Sequence, residues 1–189
     1  MVTATNAGRR RLCLLLGALL AGCLAFAPAA SAGSGCTHTG ALPWKTSERT
    51  VARATVCLLN VQRRRHGLRP LRIDLRLGHA ATGHSVEMSR RKYFSHNSRS
   101  GASFLDRIRR AGYLRRARRW SVGENIAWGT GALGSPHSIV RAWMHSPGHR
   151  ANILARSFRH IGIGISAGVP VGVPAGNGAT YTTDFGMRG

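Results

Sequence analysis

Nine histidines and six carboxylates are the side chains with which this chain of 189 residues could do acid–base or metal chemistry. The carboxylates are Glu48, Asp74, Glu87, Asp106, Glu124 and Asp184, so any general acid, general base or anionic metal ligand must come from that short set. His145 and His149 are four apart, the interval that aligns two rings on one helix face, but Pro147 and Gly148 lie between them and interrupt the helix. No His-Glu-x-x-His occurs, which disfavours a zincin-like site. His84 and Glu87 are three apart and could share a metal, yet no second such pair exists; a hydrogen-bonded histidine beside a surface glutamate is the simpler reading. Serine-hydrolase elbows, Walker loops and dinucleotide glycine fingerprints are also missing from the sequence.

The elements that must position these residues are legible from caps and periodicity. Ser47 opens a helical pattern that runs to about His66 and stops at Gly67, with Val51, Ala54, Leu58 and Val61 near one stripe and Arg53, Arg63, Arg64 and Arg65 on the polar side. Asp74 is placed as the N-cap of a second helix, roughly 75–91, with Ala80, Ala81, His84 and Met88 facing inward. Ser103 and Asp106 form a capping-box pattern for a short third helix ended by Gly112. Residues 121–127 alternate weakly, as a strand would. Ser135-Pro136 and Ser146-Pro147 each pair an N-cap with proline at the first helical position, predicting two further short helices. Ile161 to Ile165 and Tyr181 to Phe185 alternate with period two and read as an antiparallel pair. Helices, a strand, more helices and a hairpin together predict one α+β domain.

Charge and the N-terminus bear on location. The chain holds 28 Lys and Arg against 6 Asp and Glu, a formal charge of +22, and charge alone names no partner. Arg9-Arg10-Arg11, an uncharged run from Leu12 to Ala27 and the small residues Ala30-Ser31-Ala32 have the three parts of a secretory signal, with cleavage expected before Gly33. The run is shorter than the ~20 residues needed to span a bilayer, so no transmembrane helix is expected in the mature protein. Leu20-Ala21-Gly22-Cys23 resembles a lipobox, but the apolar run continues past it, and lipoprotein anchoring through Cys23 is the lesser expectation. Loss of residues 1–32 leaves a mature charge of +19, with residues 33–46 a flexible leader and residues 47–189 the domain. It also leaves Cys36 and Cys57, an even pair outside the cell that reads as one disulfide, the alternative being two free thiols.

A longer series of short blocks points further. Asn60-x-x-Arg63, Gly67-Leu68-x-Pro70-Leu71, Ala80-Ala81-x-x-His84-Ser85, Tyr93-Phe94-Ser95-His96, Asp106-Arg107-Ile108, Gly123-Glu124-Asn125-Ile126-Ala127, Trp143-Met144-x-Ser146-Pro147-Gly148-His149-Arg150-x-Asn152-Ile153-Leu154 and Ile161-Gly162-x-Gly164 follow one another in order. The series resembles the bacterial secreted branch of the CAP superfamily, which groups cysteine-rich secretory, antigen 5 and pathogenesis-related proteins. It covers about residues 51–187. The resemblance implies an α-β-α sandwich, a short antiparallel sheet flanked by helices. It also implies a cleft to which two His and two Glu contribute in eukaryotic members. Residue by residue, His96, Glu124 and His149 match three of the four; where the second glutamate would fall, this chain has His145-Ser146.

Two imidazoles and one carboxylate match the ligand count of an open zinc site, so Zn2+ or another divalent cation is the cofactor the resemblance implies, held by His96, Glu124 and His149. High positive charge opposes that binding. Without metal, Glu124 would pair with a protonated His96 or His149 as a polar latch. The leading expectation is a secreted binding module of the cell envelope or exterior, for a lipid, another small apolar ligand or an anionic envelope polymer. The alternative is a hydrolase in which His96, Glu124 and His149 are catalytic, through a metal-activated water or as acid and base on a peptide or cell-wall bond. Nucleic acid is disfavoured, because export removes the chain from it and aromatic platforms are not interleaved with the arginines. A monomer is expected.

Overall fold

The first helix begins where Ser47 turns its hydroxyl back to accept the Thr50 N–H, and it ends with Arg63, Arg64 and Arg65 in the last turn, where cations favour the helix dipole. The computed structural model describes residues 35–171 and 177–189. The export signal expected over residues 1–32, Cys23 included, and the start of the mature chain at Gly33 lie outside the described residues. The elements are α1 (Glu48–Arg65), β1 (Arg72–Ile73), α2 (Leu75–Arg91), α3 (Phe104–Arg110), β2 (Trp120–Thr130), α4 (Pro136–His145), α5 (Pro147–Leu154), β3 (His160–Ala167) and β4 (Gly178–Arg188), with a 3-10 turn at Gly131–Gly134.

The caps act as the sequence predicts. Asp74 accepts the N–H groups of Arg76 and Leu77, and Ser103 and Asp106 close a reciprocal capping box. Ser146 departs from the pattern. It offers α5 no side-chain cap, because its hydroxyl is engaged by the ring of His149 instead.

The sheet has the order β1-β3-β4-β2. β3 and β2 both pair antiparallel with β4, and the two-residue β1 adds a parallel edge beside His160 and Ile161, so the short antiparallel sheet of the expectation carries one parallel strand in addition. Helices cover both faces, which makes an α-β-α sandwich. Ile161, Ile165, Tyr181 and Phe185 meet Val51 and Leu59 of α1, Ile139, Val140 and Trp143 of α4, and Ile153 of α5 in the larger core. Each such fully buried side chain contributes about 1.5–3 kcal/mol. On the other face α2 lies directly on β3. A Cβ at Gly162 would come within 2.1 Å of the Leu77 carbonyl carbon, and one at Gly164 within 2.1 Å of that of Ala81. The alternating Ile-Gly pattern of β3 therefore encodes two faces: isoleucine toward the large core, and bare backbone on which the helix rests.

Arg63, expected on the polar side of α1, is instead only 1% exposed. Its guanidinium donates to the carbonyls of Arg69, Ile153, Ala155 and Phe158, tying α1 to the end of α5. Carbonyls that the short α5 leaves without intrahelical partners supply the reason an arginine is buried there. The leader is anchored by the Cys36–Cys57 disulfide, by the Thr39 carbonyl accepting the His137 N–H, and by Ala41 and Trp44 packed on the core. No described helix is long and apolar enough to cross a membrane.

Candidate functional site

His96 lies in the loop between α2 and α3, and two residues fix that loop. His84, fully buried on α2, bonds through Nε2 to the Ser95 carbonyl at 2.8 Å. Burial, then the nearby Arg107 charge, lowers the His84 pKa, so the ring is neutral and donates through Nε2–H. Arg107 of α3 donates through Nη1 to the His96 carbonyl at 3.0 Å and to the Ala102 carbonyl at 3.3 Å. Glu87 accepts the Arg99 N–H at 3.3 Å, so this glutamate of α2 also braces the loop.

Glu124 comes from the middle of β2 and points to the α2/α3 face of the sheet. Its side chain is 1% exposed, and both oxygens are engaged: Oε1 takes His96 Nδ1–H at 2.8 Å, and Oε2 takes Arg107 Nη2–H at 2.5 Å. Directly across the β2–β4 pairing stands Asp184, fully buried, with no donor at bonding geometry to either of its oxygens. Burial, then the charge of Glu124, pushes the Asp184 carboxyl well above its usual range. The centre thus holds two carboxyl groups, one guanidinium and a half-exposed imidazole.

Asn125, the next residue of β2, faces the opposite layer. Its amide donates to the His149 carbonyl at 3.1 Å, and Asn152 donates to Asn125 Oδ1 at 2.9 Å and to the Glu124 carbonyl at 3.1 Å. This clamp seats the start of α5 against the strand. Its cause is local: alternation along β2 sends Glu124 and Asn125 to opposite sides. His149 is held through Nδ1 by the Ser146 hydroxyl at 2.8 Å, and burial, then His96, lowers its pKa. Of the three sequence-matched residues, then, His96 and Glu124 are bonded together, while His149 is near enough to feel His96 but is bonded to neither. His145, exposed at the end of α4, bonds to its own helix at the Arg141 carbonyl.

The donor set does not fit the divalent cation implied by the resemblance. The Glu124 side chain is 1% exposed, each of its oxygens already accepts a bond from His96 or Arg107, and the Arg107 guanidinium beside it repels a cation. Among the described residues no three His, Cys, Asp or Glu groups converge closely enough to hold a metal ion. Arg107 and Asp184 are the members that reading for histidines and glutamates missed. An acid at an inward position of an otherwise Thr-rich alternating strand was the available signal for Asp184.

A model of the CAP, or cysteine-rich secretory protein, family matches residues 56–171, and the chain belongs to that family. It is 40% identical over 107 residues to the uncharacterized protein YkwD of Bacillus subtilis, covering 57% of this chain and 39% of that one. It is 34% identical over 122 residues to the uncharacterized membrane protein YlbC of the same organism, covering 65% and 33%. The chain therefore spans well under half the length of both relatives. Among solved structures it resembles an extracellular protein containing a SCP domain from Bacillus anthracis, with TM-score 0.61, 29% identity, and coverage of 75% of this chain and 41% of that one. It shares the fold of an outer surface protein from Borrelia burgdorferi, with TM-score 0.57, 19% identity, and coverage of 71% and 90%.

Proposed function

We propose that this is an exported, non-catalytic binding module of the bacterial cell envelope or exterior, retaining a lipid or other small apolar ligand, or an anionic envelope polymer. The observation that carries it is the closed state of Glu124. A general base needs a free lone pair facing substrate. Here the Glu124 side chain is 1% exposed and each oxygen already accepts a bond, from His96 or Arg107, so no face of the carboxylate is open to solvent, and its bonds tie the α2–α3 loop to the sheet. Export is supported by the signal-like N-terminus and the disulfide, and by the extracellular description of the SCP-domain relative. An apolar ligand would find volume in a groove of about 330 Å³ lined by Ala52 and Val56 of α1, exposed Ile73 and Leu75, and Ile163, with Arg49 and Arg53 also contributing. That size is within the range of small-molecule sites.

The test is direct. Purified mature protein incubated with peptidoglycan and with peptide substrates should leave both intact by mass spectrometry, while retaining lipid or an anionic polymer at physiological salt. Turnover that disappears in Glu124→Gln would overturn the reading in favour of a hydrolase. The intact mass of the exported chain decides between a start at Gly33 and a lipidated Cys23.

A further inference from the structure

The densest charge on the domain is not at the latch. α3 ends in Arg109 and Arg110, the following turn carries Arg115, the first turn of α2 contributes Arg76, and Trp120 opens β2. Together they bound a depression of about 690 Å³ with no carboxylate in its lining. All four arginines are exposed, and among the described residues none of them makes a salt bridge. Trp120 is 41% exposed, and the Arg109 guanidinium stands 5.6 Å from its ring centre.

The wall of this depression is ordered by its backbone. Arg118 and Arg119 donate their N–H groups to the Gly189 carbonyl, and Gly189 donates back to Arg119. Ala117 donates to Leu114 and Arg115 to Gly112, so the turn is pinned by its backbone. Four guanidinium groups without a salt bridge around one concavity repel one another, Arg110 donating only to the Asp106 carbonyl, and an anion relieves that repulsion. Each fork is shaped for two oxygens of one oxyanion. The depression is too large for a single oxyanion and is dominated by charge, which fits a chain of repeated charges.

We propose that this depression binds a phosphodiester polymer whose repeat is a polyol rather than a nucleoside. Arg76, Arg109, Arg110 and Arg115 take successive phosphates, and the open part of the Trp120 ring packs on the C–H face of the repeat. Single-stranded nucleic-acid grooves line up several aromatic platforms for successive bases. Here one ring lines the depression, and Arg109 already covers part of it. The proposal rests on the binding-module reading and chooses its polymer arm.

The experiment uses the full mature chain and three probes of matched charge: poly(glycerol phosphate), single-stranded DNA and polyglutamate. Binding is followed by calorimetry over a range of salt. Poly(glycerol phosphate) should bind most tightly, and the double variant Arg109→Ala, Arg115→Ala should weaken it at least ~10-fold. It should also flatten the slope of log K against log salt by about two, one for each phosphate contact removed. A charge-matched control, Arg64→Ala with Arg65→Ala on the opposite layer, should leave the affinity unchanged. Equal losses in the two double variants, tighter binding of DNA or polyglutamate, or no binding would each overturn the proposal. Peptidoglycan or peptide turnover would sink the binding-module reading without altering these affinities, so the two failures are distinguishable.

Discussion

Replacing Arg107 with methionine tests whether the latch is held by charge. The substitution keeps most of the side-chain volume and removes the guanidinium that bonds Glu124 and two carbonyls of the α2–α3 loop. Arg107 is 8% exposed and Glu124 1%, so the remaining carboxylate is stranded away from water, with Asp184 across the strand pairing. Breaking a buried ion pair from one side costs about 3–5 kcal/mol. His96 still bonds Glu124 but is half exposed, which places the expected loss toward the lower end. With a urea m-value of about 2 kcal/mol/M, the unfolding midpoint falls by about 1.5 M. The double variant Arg107→Met, Glu124→Gln removes the stranded charge and should recover more than half of the loss, a favourable coupling between the two sites. Urea titrations of all four members of the cycle, followed by tryptophan fluorescence, measure it. A single variant within ~1 kcal/mol of wild type, or a double variant no more stable than the single, would refute the reasoning.

Asp184→Asn carries a pH signature. Because the folded pKa is raised, the wild-type carboxyl favours the folded state at acidic pH, and that contribution is lost as pH rises toward the elevated value. The asparagine variant should therefore gain thermal stability relative to wild type as pH rises above the ordinary carboxylate range, and a gain independent of pH would contradict the assignment. Gly164→Ala forces a Cβ into the α2 backbone and should cost about 3 kcal/mol or more in chemical denaturation; a change under ~1 kcal/mol would mean that α2 can lift freely. Calorimetry with Zn2+ should show no single site that depends on His96 and His149. An isotherm abolished by His96→Ala with His149→Ala would restore the metal reading.

What the sequence made legible is what is decided locally. Ser47, Asp74 and the Ser103–Asp106 box act within one helical turn, so each cap follows from neighbours in the chain. The β3 alternation is equally local. β1 was not legible, because two residues have no period; it exists only where β3 offers an edge to pair with. β2 runs from Trp120 to Thr130, further than its own 121–127 pattern, because β4 pairs with all eleven of its residues. At the site, His96 and Glu124 were found by resemblance, and the two are bonded to each other. Arg107 reads as one more surface arginine in a chain full of them. Its burial is set by a strand partner 17 residues away and Asp184 by a register across the sheet, both long-range facts.

The bare-backbone contact between α2 and β3 bears on how the molecule opens. With no side chains between Leu77–Gly78 and Gly162, or between Ala81–Thr82 and Gly164, the helix has no rotamers through which to slip, and water has no gap to enter. The amides of mid-α2 and β3 should then exchange with solvent only on global unfolding, while those of the His96 loop, pinned by a handful of side-chain bonds, exchange through smaller excursions. A bound partner that stiffens the domain would thus slow exchange in that loop and leave the helix–strand weld unchanged.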